Sequence, residues 1–138
     1  MNHSAAKAIF EDIRNRPYGW STVPGVSANS CYFKCIELLQ RLGGLGYALR
    51  GRIGDTYLDD KIPIEIRRLY PSEFPLMHLW VELQLDNQWY ALDTSYDPPL
   101  SKAGFIVNEW GSNQTCFDIT RKYSQEEVIS YQKEWADP

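Results

Sequence analysis

Apolar residues recur at helical spacing from the start of the chain. Ala6, Ile9, Phe10 and Ile13 predict a short amphipathic helix over Ser4 to Arg14, which must end before Pro17. Arg16 to Ser30 has no period and holds Pro17, Gly19, Pro24 and Gly25, so it reads as a loop. A second stripe follows in Cys31, Cys35, Leu38, Leu39 and Leu42, with Asn29 or Ser30 placed to cap its first turn. It predicts the central buried helix, ending among Gly43, Gly44 and Gly46.

Beyond these glycines the period changes to two. Tyr47 to Ile53 alternates well enough for a first strand. Asp55 to Pro75, with Pro63, Pro71 and Pro75, reads as an irregular excursion over the sheet, partly helical near Ile64 to Leu69, and is the one candidate for a lid. Met77 to Leu85 and Gln88 to Thr94 predict two strands joined at a tight turn, Asp86-Asn87. Asp97-Pro98-Pro99 forces an extended turn, and Gly104 to Val107 is a candidate short strand. Ser124-Gln-Glu-Glu127 has the form of a capping box opening a last helix that presents Val128, Tyr131 and Trp135. The order predicts an α+β fold, with the central helix, which carries Cys31, packed with others on one face of a small antiparallel sheet.

At 138 residues the chain is the size of one domain, expected to span 1–138. An apolar share of 43% with 14% aromatics suffices for a packed core and hints at a cleft lined by rings. A net charge of -4 without any Lys/Arg run argues against nucleic acid and anionic membrane as partners. No stretch approaches the ~20 apolar residues of a membrane span. The first residues lack the pattern of a signal peptide, so a cytoplasmic location is expected. Three cysteines are too few and odd in number for a disulfide framework, which leaves free thiols to explain.

Cys31 is placed in the first turn of its helix, where unsatisfied N–H groups and the macrodipole favour an anion. Its own N–H is available as an oxyanion donor. The alternative is a small core residue on the helix stripe. Of two histidines, His3 lies in a terminus expected to be poorly ordered, so a thiol site has to use His78. Strand alternation puts His78, Trp80, Glu82 and Gln84 on one face and Leu79, Val81 and Leu83 on the other. With Asp86-Asn87 as the turn, Leu85 pairs with Gln88, and counting back, Trp80 faces Asp93. His78 is then the diagonal neighbour of Asp93, ~7–8 Å away at Cα and within reach of an imidazole–carboxylate hydrogen bond. A thiol nucleophile, an imidazole base and a carboxylate that fixes the tautomer form the set required for acyl transfer.

Trp20 and Trp80 are candidates for the oxyanion hole or cleft wall, with core packing as the plainer role for either and for Trp89. Lys34 is expected to be a solvated helix lysine. A metal site from Cys31, Cys35, His78 and Cys116 is disfavoured, because Cys35 falls within the apolar stripe.

These residues resemble the transglutaminase-like superfamily. The resemblance covers about Pro17 to Trp110 and is carried by Cys31-Tyr-Phe-Lys34, Leu45-Gly46, His78-Leu-Trp80-Val81-Glu82 and Trp89-Tyr-Ala-Leu-Asp93-Thr94. Small bacterial members are further similar in Pro17-Tyr18 with Trp20, and in Asp97-Pro-Pro-Leu100 with Gly104-Phe105 and Trp110. Asp93-Thr94-Ser95 stands where Asp-x-Thr is common. The resemblance implies a papain-like fold with Cys31, His78 and Asp93 as the triad, used for amide hydrolysis, deamidation or acyl transfer to amines. A cysteine peptidase or amidase acting on a peptide or protein is the expected activity, with no cofactor. A catalytically silent binding module and a crosslinking or deamidating acyltransferase are the alternatives. Nothing matches a calcium-binding loop.

Overall fold

The structure, a computed structural model, describes residues 2–19, 31–57 and 76–136. The expected cap at Asn29 or Ser30, the residue Trp20 and nearly all of the excursion to Pro75 lie outside the described residues. So do the side chains of Tyr131 and Trp135.

Two helices open the fold, α1 (Ser4–Arg14) and α2 (Cys31–Gly43). Each turns its stripe inward. Ala6, Phe10 and Ile13 from α1 and Cys35, Leu38 and Leu42 from α2 join Val81, Leu83 and Leu92 of the sheet in the main core. The sheet consists of β1 (Leu49–Thr56), β2 (Leu76–Leu85), β3 (Gln88–Leu92) and β4 (Arg121–Lys122). Its order is β3-β2-β1-β4, with neighbouring strands antiparallel throughout. A last helix, α3 (Gln125–Ala136), packs Val128 with Ile53 and Tyr123. Leu79 touches both clusters, so the three described helices share one face of the sheet and the α+β expectation is met.

The hairpin follows the anticipated register: Leu85 pairs with Gln88, Gln84 with Trp89 and Val81 with Leu92. Asp86 and Asn87 carry φ of 50° and 66°, the left-handed pair that a two-residue turn needs to match strand twist. The capping box forms as expected, with Glu127 N–H donating to Ser124 Oγ at 3.2 Å and Ser124 N–H to Glu127 Oε1 at 3.0 Å.

Four features differ from expectation, and the first is that β3 ends at Leu92 rather than Thr94, because the Asp93 and Ser95 N–H groups donate to side chains instead of to β2. β1 begins two residues later than Tyr47 and runs on to Thr56, because turn hydrogen bonds carry the end of α2 through Gly46, at φ 88°, while pairing with β2 extends the strand's other end. Gly104 to Val107 is not a strand. Pro98–Ala103 forms a 3₁₀-helix, and Gly104 at φ 96° ends it, with Phe105 N–H returning to Leu100 O. β4 is an addition to the expected strands, since two residues carry no readable alternation.

Candidate thiol site

β3 stops at Leu92 while β2 extends back to Leu76. The chain leaving β3 therefore begins at Asp93, beside the first half of β2, which carries His78. Register explains why these two residues meet: Trp80 lies opposite the position of Asp93, and His78 is two residues along the same face. His78 Nε2 and Asp93 Oδ2 are 2.5 Å apart, with His78 2% and Asp93 0% exposed.

The carboxylate is held on both oxygens. Oδ1 accepts the Ser95 hydroxyl at 2.6 Å and the Ser95 N–H at 3.2 Å, while Oδ2 accepts the Cys116 N–H at 2.9 Å as well as His78. Asp93 N–H donates to Asn108 Oδ1 at 2.9 Å. Burial alone would raise the Asp93 pKa, but the charge and hydrogen bond of His78, with the Ser95 and Cys116 donors, hold it below the usual carboxylate range. Burial would pull His78 down, yet Asp93, with a smaller contribution from Cys31, pushes it up to about 10. At neutral pH the ring is then an imidazolium donating to a carboxylate.

Cys31 is the first residue of α2 and the second hydrogen-bond neighbour of the His78 side chain. Nε2 is engaged by Asp93, so Nδ1 is the ring nitrogen that remains for the thiol. Cys31 is partly exposed whereas Cys35 and Cys116 are buried, and all three are free thiols. Burial raises the pKa of both Cys35 and Cys116. The structure thus brings Cys31, His78 and Asp93 together, and Cys31 is the one thiol of the three that is not buried. Among the described residues no group of three or more His, Cys, Asp or Glu side chains is arranged to hold a metal ion.

Rings fix the imidazole plane. Trp80 stacks on His78 at 5.9 Å with an 18° tilt, and Phe117 meets it edge-on at 4.6 Å. Trp80 is 1% exposed, so it serves as a wall behind His78. Beyond it lies a cleft of about 400 Å³ whose lining includes Trp80, Trp89, Glu82, Phe117 and Lys122 but none of Cys31, His78 and Asp93. The motifs before Cys31 and after Asp93 are joined, since Tyr18 N–H donates to Asp97 Oδ1 at 2.8 Å and its ring packs against Tyr96 at 5.2 Å.

Two sequence expectations fail here. Lys34 is not solvated: it is 1% exposed, because its ammonium finds backbone carbonyls that an amphipathic pattern cannot reveal. His3 is ordered, its Nδ1 hydrogen-bonded with the Tyr47 hydroxyl at 2.8 Å, and takes no part in the thiol site. Sequence reasoning also missed Asn108, Cys116 and Phe117. The hydroxyl at Ser95, two residues after the aspartate, is the one local signal for a carboxylate clamp.

Among the described residues no helix is long and apolar enough to cross a membrane. Comparison with protein-family models, characterised proteins and solved structures finds no match to the chain, so the chemistry must be argued from the site itself.

Proposed function

We propose that the protein is a thiol-dependent acyl-transfer enzyme of papain-like, transglutaminase-like type, hydrolysing a peptide or protein amide through Cys31, His78 and Asp93. The single observation that carries the reading is the buried 2.5 Å His78–Asp93 contact with Cys31, at the head of α2, as the ring's other partner.

The proposed chemistry balances within these groups. The Cys31 thiolate forms a bond to the amide carbon, and the charge on oxygen is met by the Cys31 N–H in the first described turn of α2. As the C–N bond breaks, the His78 imidazolium gives its proton to the departing nitrogen. Water then attacks the thioester, its proton passes to His78, and the thiolate leaves. Asp93 remains ionised throughout, orienting the ring and stabilising its cation. An amine in place of water gives transfer rather than hydrolysis by the same steps.

Cys31→Ala is expected to abolish turnover of a peptide-amide library while leaving the unfolding free energy within about 1 kcal/mol of the native protein. Turnover retained by that variant is incompatible with the proposal.

A further inference from the structure

We propose that Lys34 is a positioning residue, which holds Asp93 and through it His78 in register with Cys31 by fastening the Ser95 carbonyl to the chain leaving α1. The inference rests on the thiol-site reading above and concerns how that site is kept assembled.

Lys34 lies one turn along α2 from Cys31 and is as buried as the core leucines. A lysine is seldom found so deep unless each proton has an acceptor. Here all three do: Nζ donates to Arg16 O at 2.6 Å, Ser95 O at 3.1 Å and Arg14 O at 3.3 Å. One ammonium thus ties the nucleophile's helix to the end of α1 and to the segment after β3.

The link to Ser95 gives this tie its consequence. The carbonyl of Ser95 is held by Lys34 while its N–H and hydroxyl both point at Asp93 Oδ1. Displacing that carbonyl therefore displaces both donors that Oδ1 receives from Ser95 and leaves the carboxylate to His78 and the Cys116 N–H. A second route starts from the same end of α1, where Arg14 Nη1 donates to Asn108 O at 3.0 Å and Asn108 Oδ1 accepts the Asp93 N–H. An apolar side chain of similar length would fill the volume but supply no donor to the three carbonyls.

The titratable and charged groups that act on Lys34 are Asp97, Cys116, Arg16 and Asp93. Burial, opposed mainly by Asp97, brings its pKa down to about 8. Loss of a proton leaves two donors for three carbonyls, so the clamp weakens as pH rises through that value, below the titration of His78.

The test is Lys34→Met, which keeps the volume and removes the donors, with the His78 ring nitrogens followed by NMR against pH and Cys31 followed by iodoacetamide alkylation. In a folded variant with native core methyl shifts, the His78 midpoint is expected to fall by about one unit and Cys31 alkylation at neutral pH to slow about tenfold. An unchanged His78 midpoint in that folded variant overturns the proposal. If Lys34→Met does not fold, the native protein decides: His78 ring shifts must show a step sharing the midpoint of the Lys34 ammonium, and a His78 signal that shows none up to unfolding overturns it. Failure of the enzyme reading looks different, because an inert Cys31 in the native protein leaves the His78–Asp93 readout of the clamp intact.

Discussion

At the residue scale, the site depends on a buried charge pair that is costly to break. Removing the acid leaves His78 without its main partner in a position 2% exposed. Asp93→Ala is therefore expected to lose about 3–5 kcal/mol in urea unfolding, together with the Cys31 reactivity proposed above. The pH dependence follows from the same pair. The folded His78 holds its proton up to about 10 against 6.5 for a free imidazole. Its contribution is complete below pH 6.5 and is lost as pH rises through 10, with a slope of at most about 1.4 kcal/mol per pH unit. Lys34 acts oppositely, because its pKa falls from 10.5 to about 8, so the unfolded chain binds the extra proton between those values. Stability should therefore decline from pH 6.5 to 8 and flatten above, and His78→Gln should remove the decline. Urea midpoints across that range check both. Hairpin counting made His78 and Asp93 legible as a pair, and the helix stripe made Cys31 legible at the head of α2. Lys34, Asn108 and Cys116 were not, since their contacts pair a side chain with a backbone group far along the chain, 94 positions for the Arg14 side chain with Asn108 O.

At the element scale, the site is placed by where strands start and stop. β3 ends at Leu92 and β2 continues past it, which opens the place that the segment from Asp93 occupies. The two-residue turn sets that register, and Asp86-Asn87 was readable because few residues accept its left-handed backbone. β4 and the true limits of β1 were unreadable, since pairing rather than local alternation defines them. One glycine in β1 is tied to the site by packing. A Cβ on Gly54 would lie 2.6 Å from Ile119 Cγ2 and 3.0 Å from Trp80 Cη2, and Trp80 stacks on His78. Gly54→Ala should cost about 1–3 kcal/mol and broaden or shift the His78 ring resonances, because Gly54 is the cross-strand partner of His78 and the added Cβ presses on Trp80. Unchanged stability and His78 resonances contradict this account of the wall.

At the scale of the whole molecule, the apolar core and the thiol site are built from the same elements: Cys31 heads the α2 stripe that runs into the core, and on β2 His78 and Trp80 alternate with the core residues Val81 and Leu83. α1 and α2 pack Phe10, Ile13, Leu38 and Leu42 against Val81 and Leu83, while His78 and Trp80 face away under Phe117. The helix stripes and strand alternation foretold that core, because burying apolar surface is the main driving force of folding and leaves a periodic mark on the chain. The polar network had to be seen in three dimensions. The central claim is that Cys31 and His78 act as a thiolate–imidazolium pair. It is tested most directly by the rate of iodoacetamide alkylation of each cysteine against pH, resolved by mass spectrometry, in the native protein and in His78→Ala. The account predicts that Cys31 alone is alkylated readily at about pH 6, that Cys35 and Cys116 stay protected, and that His78→Ala abolishes the low-pH reaction. A Cys31 that reacts only as a free thiol does, with the same profile in both proteins, contradicts it.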